Sequence, residues 1–166
     1  MLEKTNLVIL VIASINGRWG EAYINYINYF WVKFINHIND NNINIKVFLL
    51  FGENPDKELL NLSSENMIIS NIEENYKPGI LKKTIHAFDY VNKKYDYKHI
   101  LRTNLSSFFI IDKLIELNNK IPTKKVYYGC GPKQMHCGAA IWFSRDVIEY
   151  ILLNKKKLMY NKIDDW

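Results

Sequence analysis

The sequence has 166 residues, 48% of them hydrophobic and 23% charged, a balance that allows one domain with a sizeable core and excludes a disordered or fibrous chain. Its 22 Lys and Arg against 17 Asp and Glu leave a formal charge of +5, which favours anionic partners without choosing among them. The basic residues form short separate clusters, Lys124-Lys125 and Lys155-Lys156-Lys157, without the arginine and aromatic interleaving of a nucleic-acid groove, so no nucleic-acid partner is expected.

In chain order, Lys4 and the apolar run 7–13 have the outline of a signal peptide. The run is too short to span a bilayer and lacks a small-x-small cleavage site, and its Val and Ile content is that of a buried central strand. No transmembrane segment is expected, and the location is read as cytoplasmic, or host cytoplasm for a viral protein; the abundance of Asn, Ile, Lys and Tyr fits an AT-rich viral or microbial genome. Gly17 and Gly20 mark a loop, and residues 22–38 carry Tyr23, Ile27, Phe30, Trp31 and Phe34 at helical spacing. Asp40-Asn41-Asn42 ends that helix, and residues 45–51 read as a second buried strand closed by Gly52.

A shorter helix is predicted over 56–62, a brief strand over 67–69 and a polar segment over 70–77. Pro78-Gly79 then opens a helix reaching about residue 94, with Ile80, Leu81, Ile85, Phe88 and Val91 on its apolar face and Tyr95-Asp96-Tyr97 at its exit. Residues 99–103 form a fourth predicted strand ending in Asn104-Leu105-Ser106-Ser107, followed by a helix over 111–118 and a strand over 126–128. A loop with Gly129, Gly131 and Pro132 leads to a sixth strand over 137–143, after which Ser144 caps a helix over 145–153. The alternation predicts a single α/β domain over 1–166, three-layered and Rossmann-like around a mostly parallel sheet. In such sheets ligands sit beyond the carboxyl ends of the strands, so residues 14–18, 104–107 and 129–138 should converge on one small-molecule cleft. Cys130 and Cys137, the only two cysteines, are too few for a closed zinc site and are read as free thiols.

Six stretches carry a resemblance to a known family. Phe48-Leu49-Leu50-Phe51-Gly52 resembles an FLLG strand, and Asn66-Met67-Ile68-Ile69-Ser70-Asn71-Ile72-Glu73-Glu74-Asn75-Tyr76 resembles a D-I-I-x-x-D-F-x-D-x-Y passage. The lysine of an N-L-T-L-K-T helix falls on Lys82, or on Lys83 with a shift of one. His99-Ile100-Leu101-Arg102-Thr103-Asn104-Leu105-Ser106 stands where a K-T-D-D-D strand end would, and Cys137-Gly138-Ala139-Ala140-Ile141-Trp142-Phe143-Ser144-Arg145-Asp146 where a G-G-A-G-x-x-L-S-R-D segment would. Finally Asp164-Asp165-Trp166 resembles E-D-V. In this order and spacing the motifs resemble the Fringe and β-1,3-galactosyltransferase-like glycosyltransferases, which have the GT-A fold; residues before 48 match in pattern only.

The resemblance implies an inverting transferase that moves a sugar from a nucleotide donor, a UDP-sugar first, to a hydroxyl of a glycan or other acceptor. It also leaves open a non-catalytic module of the same fold that binds nucleotide sugar or glycan, and a missing C-terminal segment relative to the family. It puts the general base on Asp165, whose bland alternative is a polar tail. Donor contacts are implied at Ser14, Asn16, Arg18, Lys82, Lys83, Arg102, Asn104 and Ser106, and acceptor contacts at His136, Gly138 and Trp142, the last of which also suits a core position. The family normally holds Mn or Mg with Asp-x-Asp carboxylates. Here that position reads Asn104-Leu105-Ser106, whose neutral oxygens are poor ligands for a hard cation, so metal dependence is doubtful.

Overall fold

A computed structural model of the chain describes residues 1–16, 20–129 and 138–160. The centre is β1 (Glu3–Ile12), in which every residue from Leu7 to Val11 is fully buried. A strand buried on both faces cannot alternate polar and apolar residues, which is why this one reads as a continuous apolar run. Each such side chain withdrawn from water contributes about 1.5–3 kcal/mol.

Residues Gly20–Tyr26 form α1, Ile27–Trp31 a wider π-helical turn and Val32–Asp40 α2, so the expected helix is one longer helical run with a wide turn inside it. Its end follows from two asparagines. Asn42 takes a left-handed φ of 52°, a conformation asparagine tolerates better than most residues. The Asn42 N–H then donates to Asn39 O at 3.1 Å and the Ile43 N–H to Ile38 O at 2.9 Å, the paired bonds of a Schellman ending.

Strand β2 (Ile45–Phe51) follows as predicted, but the helix expected over 56–62 is only a 3-10 turn, Lys57–Leu59. Asn28 explains the difference. Its side chain donates to Leu59 O and accepts from the Asn61 N–H, both at 2.9 Å, taking backbone groups a longer helix would use. Next come β3 (Met67–Ile69), α3 (Gly79–Lys94) and β4 (Tyr95–Asn104). Tyr95, Asp96 and Tyr97, expected at the helix exit, are instead the first residues of β4. Tyr95 and Tyr97 are buried while Asp96 and Lys98 are exposed, the period of two that a strand imposes.

The remaining elements are α4 (Ile111–Lys120), β5 (Tyr127–Gly129), β6 (Ile141–Ser144) and α5 (Arg145–Leu153). Strand β6 starts later than the sequence suggests. The Thr103 hydroxyl donates to Ala139 O at 2.5 Å and Arg102 to Gly138 O at 3.3 Å, so β4 side chains occupy those carbonyls. Ser144 stands at the N-cap of α5 without capping it. Its hydroxyl accepts from the Val126 N–H at 2.9 Å and donates to Asp146 at 2.5 Å.

The six strands form one sheet in the order β3-β2-β1-β4-β6-β5. The pairings β1–β2, β1–β4 and β2–β3 are parallel, while β4–β6 and β5–β6 are antiparallel. Leu7, Ile9 and Val11 pack on one face with Trp31, Phe34, Ile38 and Leu114. Val8 and Leu10 pack on the other with Phe88, Val91 and Ile148. The result is the three-layer α/β sandwich that the alternation predicted, with α1, α2 and α4 on one face and α3 and α5 on the other. Among the described residues no helix is long and apolar enough to cross a membrane.

Trp31 ties the first helical layer to the end of β4, because its fully buried indole N–H donates to Leu105 O at 2.9 Å. Trp31→Phe keeps most of the bulk and leaves that carbonyl unpaired. It is expected to lower the unfolding free energy by about 2 kcal/mol in urea titrations; an unchanged midpoint and slope would show that the bond contributes nothing.

Candidate functional site

The sheet order creates the site. From β1 the chain moves outward through β2 and β3, then returns along α3 to lay β4 against the other side of β1. Connections leaving the carboxyl ends of β1 and β4 therefore part in opposite directions and leave a crevice between them. A cleft of about 440 Å³ opens there, lined by Ile12 of β1 with Ala13 and Ser14 just after it, Arg102 and Asn104 of β4 with Ser106 just after it, and Glu74 and Lys83 from across the crevice. That volume suits a small-molecule ligand, for which pockets run from roughly 300 to 1,000 Å³.

Lys83 is 2% exposed and faces the floor of this cleft. Its ammonium donates to Ala13 O at 2.8 Å and to Glu74 Oε2 at 2.7 Å. The other oxygen of Glu74 accepts from the Gly52 N–H at 2.5 Å. A β-carbon at Gly52 would lie 2.1 Å from Ile72 O and 3.0 Å from the Glu74 carboxylate, so only glycine lets β2 end against this segment. Burial draws the Lys83 pKa below its ordinary value; the hydrogen bond and charge of Glu74 oppose that shift, and the Arg102 guanidinium adds to it.

Arg102 is also 2% exposed and lines the same cleft. Asn104 is half-buried, and its carbonyl accepts from the Ser107 N–H at 3.1 Å in a turn that leaves Ser106 exposed. The Ser14 hydroxyl accepts from the Asn16 N–H at 3.3 Å, folding the chain back after β1.

Six implied donor positions, Ser14, Asn16, Lys83, Arg102, Asn104 and Ser106, thus share one cleft. Lys82 does not line it; its side chain is exposed on the preceding position of α3, so the register that matches Lys83 is the one facing the crevice. Trp142 is 2% exposed and packs edge-on to His99 within the core, away from the cleft. Gly138 is buried and offers its carbonyl to Arg102. Arg18, His136 and Asp165, like Cys130 and Cys137, lie outside the described residues.

Glu74, Asn75, Tyr76 and Tyr23 also line the cleft, although the sequence reading gave none of them a role. The polar segment 70–77 carried the signal for the first three. Tyr23, spaced like a core residue of its helix, carried none.

The donor set does not fit a hard divalent cation. Asn104 and Ser106 offer neutral oxygens, and both oxygens of Glu74, the one acid among the described lining residues, already serve Gly52 and Lys83. Among the described residues no three His, Cys, Asp or Glu side chains cluster as metal ligands. The chemistry within reach is the holding of an anion by buried cations beside neutral polar groups and tyrosine rings. No protein-family model and no curated protein matches the chain.

The depressed Lys83 pKa makes stability depend on pH. In the window just below the ordinary lysine value of 10.5 the unfolded chain binds more protons at this residue than the folded one. Stability from this group therefore rises with pH across that window. Lys83→Met should remove the rise, so the difference in unfolding free energy between the two proteins should vary with pH there. Parallel stability curves would show that burial does not control the ammonium.

Proposed function

We propose that the chain is a glycosyltransferase of the GT-A type that binds a nucleoside-diphosphate sugar in the crevice beyond β1 and β4 and transfers the sugar with inversion to a hydroxyl acceptor. The observation that carries this reading is the convergence of Ser14, Asn16, Lys83, Arg102, Asn104 and Ser106 in one cleft with two buried cations at its floor. A departing diphosphate develops negative charge as the bond from its oxygen to the anomeric carbon breaks. Preorganised cations in a dry cleft stabilise that charge more in the transition state than in the bound donor. Lys83 and Arg102 take this role, and Asn104 and Ser106 supply neutral hydrogen bonds beside them.

Asp165 acts as general base. It takes the proton of the acceptor hydroxyl while that oxygen attacks the anomeric carbon opposite the leaving group, and the bonding pair departs with the nucleoside diphosphate. A second reading, donor or glycan binding without turnover, is favoured by the neutral side chains at 104 and 106.

Calorimetry with UDP, GDP, CDP and dTDP should find saturable binding of at least one nucleotide. Chelation by EDTA should change the affinity by less than about tenfold, or 1.4 kcal/mol. Absence of binding to folded protein sinks the reading, and a larger EDTA effect sinks its metal-free form.

Asp165→Asn should lower turnover by roughly two to four orders of magnitude with donor affinity nearly unchanged, and Asp164→Asn should do much less. Full activity in Asp165→Asn removes that residue from the mechanism. Donor binding without transfer by the unmodified chain supports the second reading.

A further inference from the structure

A lysine ammonium has three protons to donate, and Lys83 spends two of them on Ala13 O and Glu74. Among the described residues no acceptor meets the third, although the group is 2% exposed and lines the cleft. A buried, charged donor left unpaired costs more than an ordinary missing hydrogen bond, so an acceptor from outside the chain has a place to fill.

The carboxylate beside it is held from two directions. Glu74 Oε1 is fixed by the Gly52 N–H, and the Ile72 N–H bonds Gly52 O at 2.8 Å, so the segment is stitched to the end of β2. Past Glu74, the Asn75 side chain accepts from the Gly79 N–H at 2.7 Å and pins the segment to the start of α3. We propose that Glu74 is the positioning residue of the cleft, holding the Lys83 ammonium against the end of β1 so that its remaining proton donates to a phosphate oxygen of the ligand. This inference rests on the nucleotide-sugar reading given above and assigns the residue that reading leaves unused.

Among the described residues the charged groups facing Lys83 are few. Glu74 comes from the segment after β3 and Arg102 from β4; the chain just past β1 contributes only the Ala13 carbonyl, while Lys82 and His86 of α3 are exposed. Among the described residues Glu74 is thus the one anion facing Lys83 beside a second cation. Glu74→Gln removes the charge while retaining an oxygen for Gly52. Lys83 then loses its proton at lower pH, and the alkaline loss of anion binding moves to lower pH with it. A purely structural role for Glu74 would change stability and leave that limb in place.

The test is calorimetry across neutral to alkaline pH with UDP, GDP, CDP, dTDP and inorganic pyrophosphate, on the unmodified chain, Glu74→Gln and Glu74→Asp. The expected result is about tenfold weaker binding by Glu74→Gln at neutral pH, with its alkaline limb displaced downward. Glu74→Asp keeps the charge on a shorter arm and should bind more weakly with a nearly native limb; it serves as the probe if Glu74→Gln does not fold. Nucleotide binding with the same strength in all three proteins overturns the inference and leaves the nucleotide reading intact. Pyrophosphate binding that Glu74→Gln displaces, with no nucleotide bound by the unmodified chain, upholds the inference and overturns the nucleotide reading. Failure of the folded chain to bind either kind of anion overturns both.

Discussion

An ammonium group can leave water only where oxygens replace it, and the oxygens around Lys83 come from separate parts of the chain. Ala13 O lies just past the end of β1, and Glu74 in the segment between β3 and α3. Because Glu74 is also bonded to the Gly52 N–H, the end of β2 joins the same linkage. One buried charge therefore fixes three chain segments at the carboxyl edge of the sheet. Breaking a buried pair of this kind by removing one partner typically costs 3–5 kcal/mol, because the survivor is left charged and uncompensated.

The linkage stands where the topology already opens a crevice, and each supplies what the other lacks. The parallel strands β2 and β1 present mainly apolar side chains to both helical layers, whereas β4 carries His99, Arg102 and Thr103 buried within its length. Along the sheet edge the remaining polar lining of the cleft comes from the strand ends, at Ser14 and Asn16 past β1 and at Asn104 and Ser106 by the end of β4. Trp31 supports this edge from the other layer, through its bond to Leu105 O just past β4.

Much of this was legible in the sequence, and the exceptions have physical causes. The two long apolar runs and the helix from Gly79 were readable because burial on both faces, or on one helical stripe, leaves a simple pattern. The 3-10 turn at Lys57–Leu59 and the late start of β6 were not, since side chains distant in sequence decide them: Asn28 in one case, Arg102 and Thr103 in the other. The same holds at the site. The edge residues Ser14, Asn16, Asn104 and Ser106 followed from strand ends alone and Arg102 from the resemblance, whereas Lys82 and Lys83 could not be separated without knowing which side of α3 meets the crevice. Glu74 escaped notice because a glutamate in a polar segment looks like any solvated one until its partners are known. Trp142 is the reverse case, an aromatic suited to sugar contact that the core has taken.

The same linkage bears on how a diphosphate would be neutralised. A divalent cation at the floor would need carboxylate oxygens, and among the described lining residues Glu74 alone has them. Recruiting Glu74 to a metal would take an acceptor from the Gly52 N–H and another from the Lys83 ammonium, which would then keep only Ala13 O beside the Arg102 charge. The cost of that rearrangement, again about 3–5 kcal/mol, would be subtracted from any metal affinity, and a hard cation offered only neutral oxygens by the other described lining residues has little with which to offset it. A buried lysine held by a glutamate and a metal held by the same glutamate are therefore competing solutions to one electrostatic problem. Among the described residues Glu74 serves the first, so on the proposed reading anion binding in the cleft turns on the orientation of a single ammonium.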